Sequence, residues 1–203
     1  MGKFKGEFRA APWLPENAID LLDQLIQPDW NIVETGSGAS TFWIAERAAA
    51  VFSFEHNPAW ATSVQNELIK RGLEKKAFII FSEGYPKTGI AERLKELRAT
   101  EIDLALIDGR GRVRSIESVI PFIKPGGWIV LDNATRPRYG NAHLILANQG
   151  WKTTLIEGRI MPENKRGITQ FWKKPSGPAA KQPIKMRIRI SGPQTNTGEG
   201  KGT

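Results

Sequence analysis

Short apolar runs alternate with amphipathic segments along most of the chain. Ile19, Leu22 and Ile26 recur at helical spacing behind Pro15, which predicts a first helix. From Trp30 onward, strand-length apolar runs alternate with helix-length amphipathic segments. The predicted strands are 31–35, 51–55, 77–81, 103–107 and 128–131, and the predicted helices are 40–49, 58–71, 90–98, 113–123 and 141–148. A turn is predicted at 124–127, before the fifth strand. Two more predicted strands, 153–156 and 168–172, have only a loop between them.

This alternation determines the predicted fold class. Strands joined through helices pair in parallel, so we expect an α/β, doubly wound sheet with helices on both faces. The last two strands should form an antiparallel hairpin at one edge of the sheet. Ligands of such sheets bind beyond the carboxyl ends of the strands. Polar or glycine positions follow each of the first five strands: Glu34 to Gly38, Glu55, Ser82 with Glu83, Asp108, and Asp132 with Asn133.

The segment after the first strand has the clearest features of a binding loop. Gly36 and Gly38 let the backbone turn tightly and approach a ligand. The next helix, with Ser40 as its predicted N-cap, points free N–H groups at that ligand. Glu55 closes the second strand, where a carboxylate can accept both hydroxyl protons of a ribose. Thr41 stands where a dinucleotide fingerprint needs a small residue, which argues against NAD.

Four segments together resemble the class I S-adenosylmethionine (SAM)-dependent methyltransferases. They are residues 34–38, 54–58, 107–109 and 124–133. The resemblance covers about residues 12–174. It implies a Rossmann-like, mostly parallel sheet of seven strands with the last strand antiparallel. It also implies an enzyme that moves a methyl group from SAM to an acceptor.

The resemblance further implies which residues bind SAM. Glu34 and the two loop glycines would surround the methionine part, and Glu55 would bind the ribose. His56 would flank the adenine, and Asp108 would face the methionine amino group or the acceptor. For Glu34 a helix-capping role stays open, and His56 can equally be an ordinary exposed histidine. The predicted cofactor set is Glu34, Gly36, Ser37, Gly38, Ser40, Thr41, Glu55, His56, Ser82, Glu83 and Asp108, with Ser82 and Glu83 at the adenine edge.

The residues after the fourth predicted strand bear on the acceptor. Asp108 is followed by Gly109 and Arg110, whereas methyltransferases that modify amino groups on bases carry an Asn- or Asp-Pro-Pro-aromatic run there. This difference favours an oxygen acceptor. We expect Asp108 to orient or deprotonate the acceptor and Arg110 to belong to the same catalytic site. Most of the rate would come from holding the nucleophile near the methyl carbon.

A metal ion is a second expectation for this region. Asp108, Asp132 and Asn133 match the positions that hold magnesium in O-methyltransferases of the catechol type. Hard oxygen ligands suit Mg²⁺, and the ion would lower the pKa of an acceptor hydroxyl. However, Gly111 stands where that family usually carries a lysine. The other interpretation is that Asp132 and Asn133 cap the loop after the fifth strand.

Two groups of arginines follow the fourth and fifth strands and should meet across the mouth of the cleft. Because arginine binds carboxylates and phosphates through two hydrogen bonds at once, they predict an anionic or sugar-phosphate-like acceptor. The alternative is that Arg112 and Arg114 only decorate an exposed helix. The two groups are Arg110, Arg112 and Arg114 after the fourth strand, and Arg136 and Arg138 after the fifth.

Composition narrows the remaining possibilities. The 203 residues include no cysteine, which excludes disulfides, thiolate metal sites and a cysteine nucleophile. The longest uninterrupted apolar run is five residues, as in 77–81, far short of the roughly 18 that a membrane helix needs. The first residues do not have the pattern of a secretory signal. We therefore expect a cytoplasmic protein without a membrane span.

The formal charge of +8 lies mostly at the end of the chain, where residues 173–203 hold seven basic side chains and one acidic. The Gly- and Pro-rich composition of 175–203 predicts a flexible tail behind a methyltransferase domain at 1–174. Within the tail, residues 184–190 alternate apolar and basic, a strand-like pattern.

The expected partner is a small-molecule acceptor, with nucleic acid as an alternative partner through the tail. Three other functions stay open: an RNA methyltransferase that uses the basic tail, a cofactor-binding module without turnover, and a dehydrogenase.

Overall fold

A computed structural model describes residues 8–82, 89–97 and 101–177. In this part of the chain, strands and helices alternate as the periodicity predicts. The strands are β1 (Asn31–Thr35), β2 (Ala50–Glu55), β3 (Ala77–Phe81), β4 (Ile102–Ile107), β5 (Ile123–Asp132), β6 (Lys152–Ile160) and β7 (Lys165–Lys173). The α-helices are α1 (Glu16–Leu25), α2 (Ala39–Ala45), α3 (Pro58–Arg71), α4 (Ile90–Glu96), α5 (Arg112–Val119) and α6 (Gly140–Asn148).

The strands form one seven-stranded sheet in the order β3-β2-β1-β4-β5-β7-β6. β1 pairs in parallel with β2 and β4, and β4 pairs in parallel with β5. β7 runs antiparallel to both of its neighbours, β5 and β6. The predicted Rossmann-like sheet with an antiparallel last strand is confirmed. The order reverses between β1 and β4, so the carboxyl ends of these strands border the crevice where such folds bind ligands.

Each face of the sheet is covered by helices. Neighbouring residues of one strand point to opposite faces, so Val33 packs with α4, α5 and α6, whereas Ile32 packs with α1, α2 and α3. All six residues of β4 are buried, as expected for a central strand covered on both sides. This burial holds the carboxyl ends of β1, β2 and β4 in a fixed arrangement.

Two local predictions were wrong. The Lys124 to Gly127 segment is not a turn before β5, because it belongs to that strand and contains its irregularity. Gly126 has a φ of 78°, and the pairing of β5 with β4 shifts register between Ile102 and Leu104. Ser40 is not the N-cap of α2, because the helix begins at Ala39 behind Gly38. The Ser40 hydroxyl instead donates a hydrogen bond to a buried carboxylate described below.

Several sequence-based predictions fall outside the described residues. They concern Glu83, the end of the predicted helix 90–98, and the tail from 178 onward with its alternating segment 184–190. The division of the chain at residue 174 stays a prediction. Among the helices that the structure describes, none has the length and apolar character needed to cross a membrane.

Candidate functional site

The tips of β1, β2 and β4 meet at Gly36. The Gly36 N–H donates to the Phe54 carbonyl (2.9 Å), and the Asp108 N–H donates to the Thr35 carbonyl (3.2 Å). Gly36 has a φ of 89°, and a Cβ built on it would lie 2.9 Å from the Gly109 Cα. Both its conformation and this close backbone approach therefore require glycine at position 36.

Gly38 differs from Gly36 in its surroundings. Its φ of 166° is extended backbone, and among the residues that the structure describes, a Cβ built there would meet only the Trp60 ring, at 3.9 Å. Packing against the described part of the chain therefore does not require glycine here. A loop that binds a ligand against its bare backbone needs open space beside a glycine. Gly38, at the start of α2, has such space.

Glu55, the predicted ribose ligand, is held by the loop and by α3. Its Oε2 accepts hydrogen bonds from the N–H and the hydroxyl of Ser37, both at 3.1 Å. Its Oε1 accepts from the N–H groups of His56 and Asn57, both at 2.8 Å, and lies 2.8 Å from His56 Nδ1. Since Glu55 is only 3% exposed, a ribose would have to take over the contacts that Ser37 makes here.

Two neighbours support the same corner of the site. The Trp60 indole N–H donates to the Ser37 carbonyl at 2.7 Å, so α3 helps to hold the glycine loop. Ser82 is buried at the end of β3, and its N–H donates to the Glu55 carbonyl at 2.9 Å. Sequence reasoning missed Trp60, although its position three residues after the N-cap Asn57 places it next to the loop.

Glu34 lies beneath the glycine loop, fully buried. Its carboxylate accepts hydrogen bonds from three hydroxyls: those of Ser40, of Thr41 at 2.5 Å and of Ser53 at 2.6 Å. Thr41 also accepts from the Gly38 N–H at 2.9 Å. Thr41 is fully buried too, so both side chains support the loop from inside. Their predicted contact with the cofactor stays a prediction.

Burial raises the pKa of Glu34 from its ordinary value of 4.5 to about 7, although the three hydroxyls oppose the shift. A folded-state pKa above the unfolded one stabilises the protein at low pH, and this stability is lost as pH rises toward 7. We therefore expect the unfolding free energy of the wild type, relative to Glu34→Gln, to fall by about 2–3 kcal/mol between about pH 5 and pH 8. Chemical denaturation at several pH values measures this difference.

A Glu67→Gln variant is the control for that experiment. Hydrogen bonds from Arg71 and Lys70 lower the pKa of Glu67, so its pH effect should be small and of opposite sign. Equal pH dependence in the wild type and Glu34→Gln would contradict the assignment of the titration to Glu34.

At the neighbouring strand ends, Asp108 and Asp132 lie beside one buried arginine. Arg112 Nη2 is 2.6 Å from Asp108 Oδ1, and its Nη1 is 3.5 Å from Asp132 Oδ2. The Thr169 hydroxyl donates to Asp132 Oδ1 at 3.0 Å. Burial and the nearby Asp132 raise the pKa of Asp108, while the Arg112 guanidinium opposes the shift. Asp108 keeps a third of its side chain exposed, so it faces the cleft.

Asn133, the third predicted metal ligand, follows β5 in a left-handed conformation with a φ of 48°. Its carbonyl accepts a hydrogen bond from the Arg136 N–H at 3.1 Å, which closes the loop after the strand. This contact agrees with the interpretation that the residues after β5 shape a loop.

A cleft of about 800 Å³ opens beside Asp108. Its volume is in the range of small-molecule sites. The structure brings the two arginine groups together here, because the residues that line the cleft include Arg110, Arg112, Arg114, Arg136 and Arg138. Arg112 is buried, whereas the other four are exposed. The sequence did not distinguish Arg112 from its neighbours.

Comparison with known proteins determines the family. A family model described as a methyltransferase domain matches residues 33–134, which is half of the chain and runs from within β1 to just past the end of β5. The chain belongs to this methyltransferase family. It is a class I, SAM-dependent methyltransferase domain, as the motifs predicted. No curated protein matches its sequence.

Solved structures share the fold of this methyltransferase at low sequence identity. An O-methyltransferase from Bacillus cereus in complex with S-adenosylhomocysteine (SAH) has a TM-score of 0.65 at 19% identity, covering 82% of this chain and 84% of its own. A precorrin 8W decarboxylase from Methanobacterium thermoautotrophicum has a TM-score of 0.62 at 20% identity, covering 82% and 96%. An rRNA methylase from Streptococcus thermophilus has a TM-score of 0.59 at 14% identity, covering 76% and 93%. At such identities the likeness concerns the fold alone.

Proposed function

We propose that this methyltransferase O-methylates a small anionic acceptor that binds in the arginine-lined cleft. The observation that carries the proposal is the position of the four exposed arginines around a cleft that also exposes Asp108. No ion pair is found for Arg110, Arg114, Arg136 or Arg138 among the described residues, which leaves their guanidinium groups available for carboxylate or phosphate.

In this proposal the cofactor lies across the tips of β1 and β2. Its methionine part rests against Gly38 and the loop from Gly36, where the backbone is open. Its ribose replaces Ser37 on the Glu55 carboxylate, and His56 and Ser82 border the adenine. Glu34 keeps the loop in place from below. The fit rests on the space beside Gly38 and on the two carboxylate oxygens at the end of β2.

The reaction is an in-line displacement in which SAM supplies a methyl group on a positively charged sulfur. The role of the protein is to place the acceptor hydroxyl beside that methyl and to exclude water. Asp108 accepts the hydroxyl proton or orients it, since it lies at the cleft wall next to the glycine loop. The exposed arginines bind the acceptor's anionic group at the other side of the cleft. The acceptor oxygen forms its new bond to carbon as the carbon–sulfur bond breaks.

Removing single arginines should weaken acceptor binding and leave cofactor binding unchanged. We expect Arg110→Ala and Arg136→Ala each to raise the KM for an anionic acceptor about tenfold, because a charge-assisted hydrogen bond contributes about 1.5–3 kcal/mol. The assay measures transfer of a labelled methyl group from SAM to a panel of hydroxylated carboxylic acids and sugar phosphates and to their neutral counterparts.

The control for these variants is Arg159→Ala, which removes an arginine from the far strand β6. It should leave KM unchanged, and the SAH affinity of all three variants should match the wild type. Unchanged KM in both cleft variants would overturn the anionic-acceptor proposal. If the protein binds RNA with an affinity that falls with salt, and if the cleft variants weaken that binding, the result would instead favour an RNA substrate.

A further inference from the structure

Arg112 occupies the place between the two strand-end carboxylates. Its guanidinium contacts Asp108 Oδ1 at 2.6 Å and lies 3.5 Å from Asp132 Oδ2. Its side chain is only 8% exposed. The Arg112 charge is therefore not free to bind an acceptor, unlike the charges of the four exposed arginines in the same cleft.

Backbone contacts fix this guanidinium independently of the carboxylates. Arg112 Nε donates to the Gly109 carbonyl at 3.0 Å, and Nη2 donates to the Asp108 carbonyl at 2.6 Å. Nη1 donates to the Asp132 carbonyl. The Tyr139 ring lies 5.4 Å from the guanidinium carbon and covers it on one side. Every nitrogen of the group thus has a backbone partner, and moving it out would leave buried polar groups unsatisfied.

This arrangement does not fit the magnesium ion that the resemblance to catechol-type enzymes suggests. Mg²⁺ needs close to octahedral oxygen coordination at about 2.0–2.1 Å. Here Asp108 Oδ1 and Asp132 Oδ2 already interact with a positive charge that belongs to the protein itself, the Arg112 guanidinium. Within the described residues, no group of three acidic, histidine or cysteine side chains is placed to hold a metal.

We propose that Arg112 is the built-in cation of this site and that the enzyme transfers its methyl group without a divalent metal. Arg112 acts as a positioning residue. It holds Asp108 at the cleft wall and offsets the charge of the two carboxylates, as a bound metal ion would. The acceptor is then held by the exposed arginines rather than by chelation. This inference rests on the proposed function for its catalytic part, whereas the choice of cation is a separate property of the folded chain.

Metal binding by the full chain tests the proposal without any acceptor. Mn²⁺ is added to wild-type protein with SAH present, and free Mn²⁺ is measured by electron paramagnetic resonance. We expect no saturable binding up to about 1 mM, the weak end of protein sites for divalent ions. Binding that Asp108→Asn abolishes would overturn the proposal, as would turnover that chelation stops and Mg²⁺ restores. Because the Mn²⁺ measurement needs no substrate, its failure is distinguishable from a wrong acceptor class.

Substitutions at position 112 give a second readout that loss of stability alone cannot produce. Arg112→Ala leaves two facing carboxylates without a cation, so it should bind Mn²⁺ at least about tenfold more tightly than wild type. Adding Asp132→Asn should remove the gained binding, and Arg114→Ala, the control on the same helix, should gain none. If Arg112→Ala does not fold, Arg112→Lys keeps a cation in place and should still exclude Mn²⁺. Mn²⁺ binding by Arg112→Lys equal to that of a vacant carboxylate pair would contradict the inference.

Discussion

Replacing Asp108 by Asn is expected to lower kcat by about 10²–10⁴-fold, the usual contribution of a positioned acid or base. An amide has nearly the same shape, so the variant should fold. The amide cannot take the proton from the acceptor hydroxyl, and it replaces the ion pair between Asp108 Oδ1 and Arg112 Nη2 (2.6 Å) by a weaker contact. Turnover with labelled SAM gives kcat, and calorimetric titration with SAH gives the cofactor affinity separately. Full activity would remove Asp108 from the mechanism.

The size of the SAH effect distinguishes two roles for Asp108. An SAH affinity within a few-fold of wild type would place Asp108 on the acceptor. A parallel loss of SAH affinity would place it on the methionine amino group.

The matched control is Asp103→Asn, the same change near the start of β4, the strand whose last residue directly precedes Asp108. Asp103 accepts a hydrogen bond from the Asn31 N–H at 2.8 Å and pairs with Lys124. Losing this contact should reduce stability and leave kcat unchanged.

The two glycines of the loop should respond to alanine in opposite ways. Gly36→Ala is expected to destabilise the fold by about 3 kcal/mol, because the new methyl adds strain at a φ of 89° and overlaps the Gly109 backbone. Gly38→Ala should change stability by less than about 1 kcal/mol, since its φ is extended and no described residue lies closer than 3.9 Å to the added methyl. Its methyl projects into the proposed cofactor space and should weaken SAH binding about tenfold.

Thermal unfolding and SAH calorimetry on the two variants measure these effects. For a domain of this size, about 3 kcal/mol corresponds to a fall in Tm of roughly 10 °C. A stable Gly38→Ala variant with wild-type SAH affinity would contradict the placement of the methionine part against this loop. A Gly36→Ala variant as stable as wild type would contradict the close approach of β1 and β4.

The spacing of apolar residues was sufficient to predict the fold, because it shows which positions of each strand and helix are buried. Five of the six buried residues of β4, all but Asp103, are apolar, and Gly72, with a φ of 68°, ends α3 where the sequence predicts. The prediction failed where the same residue types are compatible with either a turn or a strand. The Pro-Gly-Gly segment before Trp128 has the residues of a turn, yet Gly126 and Gly127 continue β5 through a register shift. That outcome depends on pairing with distant strands.

At the site, the sequence predicted which residues gather but not how they bond. Glu55 and the glycine loop were placed together by their positions after β2 and β1. That Ser37 already holds the Glu55 carboxylate depends on the loop's path in space. The residue type of Ser40 favours a helix cap, but in the structure its hydroxyl donates a hydrogen bond to the buried Glu34 carboxylate.

The sequence by itself determined the order of strands and helices, the parallel sheet and the family, because apolar spacing and the motifs after each strand are local properties. Only the tertiary structure decided that Arg112 is buried between Asp108 and Asp132 while four similar arginines stay exposed. The charge of an arginine is the same at every position. Its role depends on which carbonyls and carboxylates two non-adjacent segments, the ends of β4 and β5, bring within hydrogen-bond distance.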